Sequence, residues 1–359
     1  MTLRRHIVRI IAYIAMLVPS AASAIDRTQL AVVVNANDPL SVVIGNYYAG
    51  QRRIPFWNVV KVRFPPGSAT MTRAEFQTIK AQVDAEASPD VQAYALTWAA
   101  PYRVECMSIT SAFAFGFNRA YCANGCEPTR ASPYFDSGSR FPFAQLGVRP
   151  TIAIAATSFA QAKALIDRGV KSDQSRPAGT AYLLSTSDSR RDVRSSSYPR
   201  VERILAGRMR VRELDQEELK DAGDVFLYFI GRARVGGLQT LRFVPGAIAD
   251  HLTSLGGMLT DSIQMSALRW LEAGATGSYG TVVEPCNMPQ KFPDPAVVAR
   301  HYLNGETLIE AYWKSVLMPG QGIFVGEPLA RPFGRPGAAA EMTRGPCAED
   351  HEASPKKCR

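Results

Sequence analysis

Histidine is scarce in this chain. There are four among 359 residues, and one of them, His6, falls in the N-terminal segment discussed below. Imidazole chemistry is therefore confined to His251, His301 and His351. Long apolar runs are also missing. Beyond residue 24 nothing approaches the ~20 residues a membrane-spanning helix needs. Charged residues make up 20% of the chain, and its net charge of +9 is spread out. Arg190, Arg191, Arg194 and Arg200 form the densest basic group, with Tyr198 as the lone aromatic beside them. That pattern reads as a solvated loop, and no nucleic-acid partner is expected. Internal repeats are absent beyond a strand–helix alternation. The Gly277-Ser278-Tyr279-Gly280 segment lacks the flanking pattern of a nucleophile elbow.

The first 24 residues carry the three parts of an export signal. Arg4, Arg5 and Arg9 give a positive start, Ile10 to Val18 is apolar, and Ala22-Ser23-Ala24 supplies small residues for cleavage. The expectation is a mature chain beginning near Ile25, free of a stable membrane span, in the periplasm or outside the cell. Losing three arginines and no acid would lower the net charge from +9 to +6.

All six cysteines lie beyond that segment: Cys106, Cys122, Cys126, Cys286, Cys347 and Cys358. An even number in an exported chain points to disulfides, with at least two of Cys106, Cys122 and Cys126 bridged. Cys122 and Cys126 have the spacing of half a zinc site, but zinc takes four ligands and no second close Cys or His pair exists. Neither a metal nor another cofactor is implied. The tail, 336–359, is polar and holds Cys347 and Cys358.

Apolar segments alternate with helix-starting signals. Leu30 to Val34, Val59 to Phe64 and Tyr94 to Trp98 read as strands. Between them, Asp38-Pro39 opens a helix to about Arg52, and Thr72 with Glu75 forms a capping box. Residues 105–150 break this rhythm and read as a disulfide-tied insertion. The alternation resumes with strands at Thr151–Ala155, Ala181–Ser185 and Asp224–Ile230, and with a helix capped by Ser158. A short helix is expected within Pro245–Leu255, another after Thr260, and further helices after Asp294 and over Glu306–Val316. The fold class is α/β, with two mainly parallel-sheet parts at 25–150 and 151–335.

Several segments resemble a family of exported bacterial proteins found in genomes that carry exosortase, the PEP-CTERM sorting transpeptidase. They are Val34-Asn35-Ala36-Asn37-Asp38-Pro39, Tyr47-Tyr48 with Arg53-Ile54-Pro55, Gly274 to Thr281 with Glu284-Pro285, Leu308-Ile309-Glu310-Ala311-Tyr312-Trp313 and Gly326-Glu327-Pro328-Leu329. This resemblance implies a link to surface-protein sorting, with envelope or surface-sorted proteins as partners. The layout also resembles, more distantly, the gingipain-type caspase-like cysteine peptidases, which makes the second part caspase-like. In that family one strand ends in Gly-His and the next leads to the nucleophilic cysteine. Here the first strand ends in Gly231-Arg232, and Ala249 to Ser254 contains no cysteine. Thiolate chemistry needs a cysteine beside its base, so the standard dyad is missing from its expected place.

Candidate chemistry therefore moves elsewhere. His251 follows Asp250 near the expected strand ends, where open α/β sheets place ligands. Glu284 is a candidate acid/base, and Cys286 with His251 a conceivable dyad in a non-caspase order. The plainer reading of Cys286 is a disulfide or a buried thiol. Gly231, Gly277, Ser278 and Tyr279 would line the site, glycines leaving backbone amides open to a ligand. The plainer reading is that the glycines make turns. Trp313, Tyr312 and Leu308 are at helical spacing and read as core. The expected function is that of an exported caspase-like protein without the dyad. The alternative is a peptidase-like hydrolase whose site is relocated to His251, Glu284 or Cys286.

Overall fold

The computed structural model describes residues 24–123 and 125–335. The expected export signal and the tail with His351, Cys347 and Cys358 lie outside the described residues.

Strand β1 (Leu30–Asn35) is buried along its whole length, as expected for an apolar run covered on both faces. Helix α1 (Pro39–Arg52) begins where the Asp38 carboxylate accepts from Leu40 N at 2.9 Å, and ends where Arg53 turns left-handed at φ 52°. Next come β2 (Val59–Val62), the short β3 (Thr70–Met71) and α2 (Arg73–Glu86). The Thr72/Glu75 box closes reciprocally, and Phe76, Ile79 and Val83 form the buried face of α2. After β4 (Ala93–Leu96), the pair β5 (Arg103–Val104) and β6 (Met107–Ser108) joins β3 in a small side sheet. Helices α3 (Ile109–Phe115) and α4 (Pro142–Leu146) precede β7 (Thr151–Ala153) and α5 (Phe159–Ser172). There follow β8 (Thr180–Ser185), α6 (Tyr198–Leu205), β9 (Arg210–Asp215), β10 (Val225–Gly231) and β11 (Phe243–Leu252). The described chain finishes with α7 (Leu268–Ala273), β12 (Gly277–Thr281), α8 (Pro295–Leu303), α9 (Leu308–Trp313) and β13 (Gly322–Gly326).

The α/β class holds, but the two expected parts share one sheet. Ten strands run in the order β2-β1-β4-β7-β13-β12-β11-β10-β8-β9. The join is the parallel pair β4–β7, with Tyr94 opposite Thr151, followed by β7–β13. Both β4 and β7 are fully buried, and an unpaired edge there would leave backbone groups without partners. Within this sheet β12–β13 is antiparallel and the other pairs are parallel.

Three local expectations change. The helix expected after Thr260 begins only at Leu268, with Ala267 at its N-cap and no side-chain cap. The segment expected to hold a short helix, Pro245–Leu255, is mostly strand β11. Its register against β10 jumps at Val225/Leu227, and Gly246 sits at φ +86°, so the Pro245-Gly246 pair marks an irregularity within a strand. The 105–150 insertion contains α3, six of whose seven residues are buried against the sheet.

Candidate functional site

Asp250 and His251 are consecutive residues of β11, so their side chains leave opposite faces of the sheet. This parity separates the pair that the sequence brought together. The His251 ring lies with Trp270 of α7. Trp270 Nε1–H donates to His251 Nδ1 at 2.9 Å, and His251 Nε2 is 3.0 Å from the Met265 carbonyl oxygen. An indole N–H can only donate, so Nδ1 accepts and Nε2 carries the proton. Burial then pushes the His251 pKa down to about 4, helped by the positive charges of Arg194 and Arg191. The ring is neutral, with both nitrogens engaged.

On the other face Asp250 pairs with Arg194, Nη1 to Oδ1 at 2.6 Å. Burial raises the Asp250 carboxyl above its usual range, and Arg194 opposes that rise. Arg194 also donates to Ile230 O and Pro293 O, each at 3.2 Å. One guanidinium thus ties the ends of β10 and β11 and the loop before α8. Arg194 Nε and Asp250 Oδ2 are buried without a hydrogen-bond partner among the described residues. The basic run around Arg194 reads as a solvated loop. The Arg194 side chain is instead 3% exposed, while Arg190 and Arg200 face solvent as expected. Nothing in the spacing distinguishes the buried arginine from its neighbours.

Cys286 is not a free thiol. It is bridged to Cys126 across a sequence separation of 160, and Cys106 is bridged to Cys122. Each of Cys106, Cys122 and Cys126 is therefore paired, as the crowding in the insertion suggested. A bridged sulfur is neither nucleophile nor dyad partner, so the His251–Cys286 arrangement is corrected. Glu284 is exposed, and its Oε1 accepts from Cys286 N at 2.8 Å. It shapes the turn at Cys286, whose φ is 55°.

The glycines serve packing. A Cβ on Gly231 would stand 2.1 Å from Arg191 O, and one on Gly280 2.4 Å from the Gly256–Gly257 backbone. On Gly277 it would strike Leu308 at 2.7 Å. These positions bring backbone or core against the strands and leave no opening for a ligand. Tyr279 is buried and its hydroxyl donates to Lys291 O at 2.7 Å. Ser278 Oγ is buried with no partner among the described residues. Beyond β10, Arg232 turns outward to pair with Glu217. Beyond β11, Thr253 Oγ1 donates to Gln264 Oε1 at 2.7 Å and accepts from Arg191 Nε at 3.2 Å.

Beside Arg194 lies a cavity of about 160 Å³. Phe135, Val193, Phe292, Pro293 and Leu317 supply apolar walls, and Ser196 and Gln290 supply polar groups. Concave sites with mostly apolar walls and a few polar groups are the common form of a ligand pocket. Among the described residues no cluster of three or more His, Cys, Asp or Glu could hold a metal ion.

The segments behind the family resemblance are structural. Asn35 Nδ2 donates to Phe64 O at 3.0 Å, and Tyr47 Oη to Asp167 Oδ1 at 2.6 Å. Arg52 Nε donates to buried Glu327 Oε1 at 2.8 Å, and Trp313 Nε1 to Thr151 O at 2.8 Å. They join distant parts of the chain.

No family model matches the sequence, and the search of curated proteins finds no match. Similar solved structures include the following two. The Arg-specific cysteine proteinase gingipain R has a TM-score of 0.53 at 10% identity, with 85% of this chain and 78% of that one covered. A structure described as a protease has a TM-score of 0.51 at 11% identity with the same coverage. At such identities the likeness shows the fold, which is the caspase-like α/β arrangement.

Proposed function

We propose that this chain is an exported protein that uses a caspase-like scaffold to bind an extended polypeptide segment at its strand ends, without cleaving through a thiolate. The observation that carries this reading is the Cys126–Cys286 bridge. With it, all four described cysteines are paired; the gingipain-type resemblance would put the base at Arg232 and the nucleophile within Ala249 to Ser254, a stretch without cysteine. The two bridges fit an oxidising compartment, the periplasm or the exterior. No helix among the described residues is long and apolar enough to cross a membrane.

The family resemblance extends the reading to the exosortase/PEP-CTERM system, with surface-sorted proteins as the bound partners. The apolar cavity beside Arg194 receives one side chain of that segment. Calorimetry with synthetic PEP-CTERM sorting-signal peptides tests this. Binding is expected, and Ser196→Trp, which fills the cavity mouth, is expected to weaken it at least about tenfold, or ~1.4 kcal/mol. Absence of binding, or binding indifferent to the tryptophan, would count against the site.

A further inference from the structure

The backbone nitrogen of Ile25 lies 3.2 Å from Glu310 Oε2, although the two residues are 285 positions apart. Glu310 is the third residue of α9 and is 1% exposed. Its Oε2 already accepts from Thr307 N at 3.0 Å and Thr307 Oγ1 at 2.6 Å in a capping box. Its Oε1 is buried and accepts nothing among the described residues. Lys314, whose charge acts on Glu310, is paired with Glu306 Oε2 at 2.8 Å. Burial and the nearby Glu306 charge push the Glu310 carboxyl up, against Thr307 and Lys314. A carboxylate buried in this way is costly unless an opposite charge meets it.

Ile25 is also the first residue after Ala22-Ser23-Ala24, and its side chain is 2% exposed. We propose that the Ala24–Ile25 bond is a processing site whose cleavage creates the missing cation: the new Ile25 α-ammonium forms a buried ion pair with Glu310. This rests on the export reading above. A signal peptidase would catalyse the hydrolysis. Water adds its oxygen to the Ala24 carbonyl carbon, the C–N bond breaks, Ala24 departs as a carboxylate, and Ile25 keeps the nitrogen as NH3+. One amide donor becomes three, with a full charge, at a site holding an orphaned acceptor oxygen. The cut falls on the unfolded chain during export, so the burial of Ala24 after folding does not oppose it. The ion pair fastens α9 to the segment that enters β1, so the mature chain is locked in a way the precursor is not.

Mass spectrometry of the exported protein should find Ile25 as its first residue. Thermal unfolding of that chain is then compared with a chain starting at Ala24, each with and without Glu310→Gln. The Ile25 start should melt higher by roughly 5 °C. Glu310→Gln should lower it to the level of the Ala24 start while changing the Ala24 start little. Equal melting of the two starts overturns the proposal, and this arm stands even if the Gln variants fail to fold. Equal losses from Glu310→Gln in both starts overturn it too, as does a terminus at another residue; in these cases the export reading survives. A chain that keeps residues 1–24 and stays in the cytoplasm removes both.

Discussion

At the level of single residues, three side chains that looked chemical have structural work. Cys286 holds the segment after β12 to the insertion through Cys126. Losing a bridge that closes so long a loop should cost about 2–5 kcal/mol. Cys286→Ser and Cys126→Ser are expected to lower the melting temperature alike, and the double variant to match either one. Unequal effects would mean that Cys286 has a role outside the bridge. His251 predicts a pH dependence. Unfolded, its imidazole takes a proton below about 6.5; folded, only below about 4. Between those values the unfolded state binds more protons, so this stabilising contribution is full above pH 6.5 and is lost as pH falls toward 4. The full span is worth about 3 kcal/mol. Asp250, whose pKa is raised, acts in the opposite direction, so the readout is the difference between wild type and His251→Asn. That difference should vary with pH between about 6.5 and 4; a constant difference would contradict the neutral, buried ring.

At the level of elements, the strands expected at Leu30, Val59, Tyr94, Thr151, Ala181 and Asp224 all form, as do several helix starts, whereas the Thr260 start fails because the helix begins only at Leu268. The Asp38-Pro39 start, the Thr72/Glu75 box, the Ser158 cap and the Asp294-Pro295 start all form where the short-range chemistry places them. These signals depend on residues within one turn, so sequence carries them. Strand β11 was obscured because Pro245-Gly246 resembles a turn, and only pairing with β10 and β12 makes the segment extended. Once β11 is a strand, the Asp-His pair must split between faces, so the site error followed from the element error. Helix α3 was hidden for another reason. It is buried nearly all round, which erases the amphipathic period. Strand β12 gives a test at this scale. Gly280→Ala would drive a methyl group into the Gly256–Gly257 backbone, which cannot yield as a side chain could. A loss above about 2 kcal/mol is expected in urea unfolding. A neutral effect would return the glycines to the ligand-facing role.

For the whole molecule, the alternation of strands and helices was legible, but the joining of both parts into one ten-stranded sheet was not. The last described strand, β13, inserts between β7 and β12, a choice made by long-range pairing alone. Polar side chains tie down the strand ends of this caspase-like fold. Arg194 plugs the edge, Arg232 turns to Glu217, and Thr253 is tied to Gln264 and Arg191. The central claim is that this frame binds and does not cleave through a thiolate. The most direct measurement is incubation of the unreduced exported protein with a degenerate peptide library, with new termini read by mass spectrometry. No cleavage above a protein-free blank is expected, whether or not the protein is first treated with iodoacetamide. Peptide cleavage that iodoacetamide abolishes would contradict that claim.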